Sequence, residues 1–188
     1  LPQLVPGSRW LGDLWDWSGP LLGLAVVLLL AAQLVRLRQI GWRDMGLTAV
    51  QARGALAPAL AISAAVLAAN YIAMSFSSFR LPGVPLETWL YQASVPGVVE
   101  ETVFRGVLLA MADRASAPRW PVAGARIGAG GLLVTLSFLA LHGISLGTLL
   151  GVLPAALLYL WLRARTGSLL LPIIIHNLWN LSVYAAHL

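Results

Sequence analysis

Six stretches of the chain are apolar almost without interruption: about Pro20 to Val35, Ala55 to Phe76, Leu86 to Met111, Ile127 to Leu141, Leu146 to Leu162 and Leu169 to Ala186. Each approaches or exceeds the roughly 17 to 25 residues of a membrane-spanning helix, the fourth only if it starts near Pro121. The pattern predicts an all-α polytopic bundle of about six transmembrane helices and no strands. Polar residues collect between the runs. Arg36, Arg38, Arg43 and Arg53 follow the first run, Arg114, Arg119 and Arg126 the third, and Arg163 and Arg165 the fifth. The alternate connections hold only Arg80, so the rule that positive residues stay inside predicts both termini outside.

Composition sharpens this picture. The 188 residues are 59% hydrophobic and 10% charged, with a mean hydropathy of +0.83. That balance belongs to an integral, multi-pass membrane protein. The absence of cysteine excludes disulfides, thiolate catalysis and Cys-ligated metal sites. The net charge of +5 comes from twelve arginines and no lysine. Because the arginines flank apolar runs, they encode topology and no nucleic-acid partner is expected.

The organisation predicted is a lead-in over residues 1–19, two accessory helices over 20–85 and a four-helix core over 86–188. Trp10, Trp15 and Trp17 give the lead-in the chemistry of a membrane-water boundary. The chain opens at Leu1 and not at a methionine, which leaves room for residues upstream. The first run lacks a small-residue cleavage site and ends in basic residues, as a retained stop-transfer helix does. Trp42 and Asp44 ahead of Gly46 read as an interfacial approach to the second helix. Gly147-xxx-Gly151 and Gly124-xxx-Gly128 are spacings that allow close helix packing.

The third run departs from apolarity at Glu100, Glu101 and Arg105. Each charge adds about 2.5 to 3.5 kcal/mol to insertion, a cost that points to function. On a helix, Glu101 and Arg105 stand at i,i+4 with the acid N-terminal, the favourable order for an ion pair. Glu100 points about 100° away and stays free. Two further runs carry polar groups: Phe138 and His142 share a face at i,i+4, as do His176 and Asn180. Intramembrane ionisable residues normally face a bundle interior or a cavity, so one carboxylate, two imidazoles and one carboxamide are expected to meet.

Their chemistry suits hydrolysis. The chain has no serine-type triad pattern and no HExxH. Glu100 is left as a general base toward a water positioned by a histidine, with His142 and Asn180 as donors to a developing oxyanion. Two readings compete. Glu100, His142 and His176 are also a possible zinc ligand set with water as the fourth ligand, and the same cluster suits a non-catalytic scaffold or immunity protein.

Glu100-Glu101-xxx-Arg105, Phe138-xxx-His142 and His176-xxx-Asn180, in that order, resemble the CPBP family of CAAX proteases and bacteriocin-processing enzymes, also called Abi. The resemblance runs from about Leu86 to Tyr184 and takes in Thr166-Gly167-Ser168-Leu169 and Pro172-Ile173, a lead-in common among bacterial members. It implies an intramembrane glutamic endopeptidase without metal or other cofactor. Glu100 and His142 would activate water, His176 and Asn180 would form the oxyanion site, and Glu101, Arg105 and Phe138 would support them. The expected partners are the lipid bilayer and a membrane-anchored or exported protein cleaved near its C-terminal segment. The expected location is a prokaryotic inner or plasma membrane.

Overall fold

A computed structural model describes residues 14–49, 51–76, 83–143 and 145–187. The first part of the predicted lead-in, with Trp10, and Arg80 lie outside them. Among the described residues the apolar runs form six helical rods. α1 spans Leu14–Arg36 and α2 spans Leu56–Ser75. The third rod is α3 (Leu86–Glu101), a π-helical segment (Thr102–Leu108) and α4 (Leu109–Ala115) end to end. α5 spans Ala129–His142. The fifth rod breaks at Val152 into α6 (Leu146–Gly151) and α7 (Leu153–Thr166), and α8 covers Leu170–Ala186. Three rods, Trp17–Arg36, Leu56–Ser75 and Leu146–Thr166, are long and apolar enough to cross a membrane.

One expectation needs correction. The chain does contain strands: Trp120–Val122 (β1) pairs antiparallel with Ala125–Ile127 (β2). Ala123 and Gly124, both at positive φ, form a two-residue turn between them, the geometry a tight hairpin requires. Pro121 therefore lies in a strand, and α5 is only 14 residues long, about 21 Å at 1.5 Å per residue. The last residues of the predicted lead-in, Leu14 to Gly19, are part of α1. Trp17 lies in α1, where its indole N–H donates to Glu87 at 2.8 Å and its ring meets Tyr91 edge-on.

α3 and α8 lie against one another most intimately. Pro96 removes a backbone donor from α3, and beside it one side chain of α8 bonds the α3 backbone on both sides of the proline. Gly97 N–H donates to Asn177 Oδ1 at 2.8 Å, while Asn177 Nδ2 donates to Ser94 O at 3.4 Å. A Cβ at Gly97 would fall 2.6 Å from Ile173 O, so only glycine allows this approach. The small-residue spacings do something other than predicted. Gly124 and Gly128 flank β2 instead of lying on a helix, and no neighbouring helix lies within contact distance of a Cβ built at Gly147 or Gly151.

The three arginine-bearing connections gather at one end of the bundle. Ala52 N–H donates to Thr166 O and Leu169 N–H to Gly46 O, each at 2.9 Å. Arg163 donates to Asp44 O and Arg165 to Gly124 O. Gly46 and Gly124 both sit at positive φ, directly under those guanidiniums. Asp44 accepts from Gly41 N–H within this knot, twelve residues before α2 begins at Leu56, so it shapes the loop and does not lead into the helix. The Thr166–Leu169 segment is part of the same knot: Gly167 ends α7 in the left-handed region, and Ser168 Oγ–H donates to Thr48 O.

Candidate active site

The third rod places Glu101 and Arg105 wholly inside the bundle, both 0% exposed. They pair at 3.2 Å, as the i,i+4 spacing predicts, although the backbone between them has widened into a π-helix. Such segments are uncommon and recur at functional sites. Arg105 also donates to Ala156 O at 3.0 Å. Its guanidinium lies 4.2 Å from the Phe138 ring centroid and 5.4 Å from that of Tyr159. Those rings supply the desolvated cation with favourable quadrupoles.

Glu101 holds a second partner. Its Oε1 lies 2.8 Å from His176 Nδ1, so that nitrogen is the donor and the imidazole is locked between α3 and α8. Tyr159 completes the clamp by stacking on His176 at 4.7 Å and 12°. His142, in the last turn of α5, is fixed differently. Its Nδ1 faces Phe138 O at 2.9 Å; a carbonyl only accepts, so Nδ1 carries the proton there too. The Phe138 ring lies against the His142 ring at 4.5 Å.

With both Nδ1 atoms committed, both Nε2 atoms turn to one point. Each lies 3.8 Å from Glu100 Oε2, and that oxygen has no hydrogen-bond partner among the described residues. Direct bonds do not reach 3.8 Å, whereas one water does. Glu100 and His142 are 32% and 35% exposed at the bottom of a cavity of about 520 Å³. Asn180 lines that cavity, one turn after His176. All four candidate groups thus border one space, and the supporting set Glu101, Arg105 and Phe138 packs behind it. Among the described residues no group of three or more His, Cys, Asp or Glu side chains is arranged to hold a metal ion.

Several lining residues escaped sequence reasoning. Asn70 and Met74 of α2, Gln92 and Tyr91 of α3, and Tyr184 of α8 border the same cavity. Gln92 donates to Tyr184 Oη at 3.3 Å, and Asn70 to Ser182 Oγ at 2.9 Å. α2 therefore also lines this cavity. Asn177 carried a signal, a carboxamide in an apolar run, but one residue after His176 it faces α3 instead of the cavity. Tyr159 lies among leucines and carried no signal.

Residues 82–182, more than half of the chain, match the Rce1-like family, type II CAAX prenyl endopeptidase Rce1-like. No curated protein and no solved structure matches the chain.

Proposed function

Because the chain belongs to the Rce1-like family of type II CAAX prenyl endopeptidases, a family of proteases acting on membrane-associated proteins, we propose that it cleaves its substrate with a water held by Glu100. The observation that carries this reading is the convergence of His142 Nε2 and His176 Nε2 on the unpartnered Glu100 Oε2. The water gives one hydrogen to Glu100 and points the other at His142 Nε2, leaving its lone pair toward the scissile carbonyl carbon. As the carbon-oxygen bond forms, the carbonyl oxygen becomes an oxyanion. Asn180 Nδ2 is one donor for it. His176 is the other: Nδ1–H is held by Glu101, and Nε2 donates to the oxyanion when that nitrogen carries a proton. Collapse of the intermediate breaks the carbon-nitrogen bond, and the proton held by Glu100 leaves on the amine.

The route needs no metal, so turnover of a membrane-anchored reporter by the purified protein is expected to persist in a strong chelator. Stoichiometric zinc, with activity lost on its removal and restored by its return, would replace this mechanism by the zinc-dependent one.

The proposal extends to sidedness. The arginine-rich connections define an inner end, and the cavity is lined from the other end by Met74, Tyr91, Gly147 and Tyr184. α5 rises only about 21 Å from the hairpin, and Glu100 lies thirteen residues before Asp113, or about 20 Å. The short α5 brings His142 level with Glu100 and leaves Gly143 and Ser145 below the outer boundary, facing a water-filled funnel. Both termini are outside, and the substrate is an exported or membrane-anchored protein processed near its C-terminal segment. Ser145 is exposed, and a Ser145→Cys protein is expected to react with an impermeant thiol reagent added to intact cells. Reaction only after the inner face is opened would reverse both the orientation and the substrate side.

A further inference from the structure

A second cavity of about 560 Å³ lies at the arginine-bearing end, about 20 Å along the third rod from Glu100. Its lining includes Arg43, Arg114, Arg126 and Arg163 with Asp44 and Asp113, four cations against two anions. Topology alone explains arginines on this end; it does not explain their convergence on one concavity. Arg163 is only 9% exposed, and its Nε–H is buried without a hydrogen-bond partner among the described residues. Asp113 Oδ1 is buried and unpartnered as well. Arg43, Arg114 and Arg126 are exposed and make no ion pair among the described residues. One buried, unpartnered guanidinium N–H with three exposed guanidiniums around the same hollow is the chemistry of a phosphate site, since the planar fork matches two phosphate oxygens.

A groove of about 350 Å³ runs beside it between α1 and the π-helical segment, lined by Leu30, Leu34, Val103, Val107 and other apolar side chains, with Gln33 the one polar group. The two spaces share a wall, because Ile40 and Ala110 of the basic cavity and Val107 of the groove belong to one packed cluster. A charged hollow at the membrane boundary with an apolar groove alongside matches a molecule with a phosphate head and a hydrocarbon tail. We propose that this end of the bundle binds the phosphate group of a membrane phospholipid. The guanidiniums hold the phosphate, Asp113 accepts from a headgroup hydroxyl, and an acyl chain lies in the groove. The site is separate from the proposed chemistry at Glu100 and stands or falls independently of it.

The test measures binding of phosphatidylglycerol to the full chain in neutral detergent, by native mass spectrometry and by thermal stabilisation. The Arg43→Gln/Arg114→Gln/Arg126→Gln protein is expected to bind about a hundredfold more weakly, from roughly fivefold per arginine. Arg36→Gln/Arg38→Gln/Arg119→Gln removes the same charge from exposed positions of the same end and is expected to bind like the parent. All six side chains are exposed, so both variants keep the parent unfolding temperature without lipid. Equal losses in the two variants, or none in the first, would overturn the site. Inorganic phosphate at matched concentration is expected to leave the lipid bound. Full displacement by it would assign the hollow to a soluble phosphate and remove the lipid.

Discussion

Glu100→Gln is expected to lower turnover by about 10²- to 10⁴-fold, the range general-base catalysis contributes, while the bundle stays folded. The substitution is nearly isosteric and removes only the ability to accept a proton. Glu100 is a third exposed, and its Oε2 has no hydrogen bond to lose, so no buried partner is orphaned. A cleavage assay on the reconstituted protein reads the first half of the expectation, and thermal unfolding reads the second. Cleavage at the parent rate would end the glutamate-water mechanism. A cellular effect that persists in full while cleavage is lost would favour the scaffold reading instead.

One residue further on, the opposite outcome is expected. Glu101→Gln should destabilise the protein by about 3 to 5 kcal/mol, the usual cost of removing one partner from a buried ion pair. Arg105 is wholly enclosed, and the aromatic rings around it do not replace a carboxylate. The same oxygen of Glu101 also holds His176 at 2.8 Å, so the surviving folded fraction is expected to turn over slowly because that imidazole is no longer oriented. Denaturant unfolding, together with turnover normalised to folded protein, separates the two effects. Parent-like stability would show that Arg105 finds its compensation elsewhere. Adjacent glutamates thus fail in different ways, one through chemistry and one through folding, because a 100° step along the helix sends one into the cavity and the other into the core.

Much of this was legible in the chain itself. Apolar runs of membrane-spanning length imposed helices, since a backbone in lipid must satisfy its own hydrogen bonds. The arginine pattern marked which connections share an end, and those connections interlock through Gly46, Gly124 and Thr166. The i,i+4 spacing of Glu101 and Arg105 declared their pair because that contact is local. Tight-turn geometry and contacts far apart in sequence were not legible. The hairpin at Trp120–Ile127 replaced the start of the fourth predicted span because a two-residue turn needs only local backbone freedom, which an apolar count does not register. That replacement shortened α5, which ends at His142. The contact of Glu101 with His176 spans 75 residues, and that of Gly97 with Asn177 spans 80. The stacking of Tyr159 on His176 and the gathering of arginines around a hollow at the far end likewise have no periodicity. Residue types and local spacing determined which groups could act and which could pair along one helix. The His142 ring is set within its own helix by Phe138 O, whereas the packing of α3 against α8 decided which nitrogen of His176 faces Glu100, because only that packing brings Glu101 to the ring's other side.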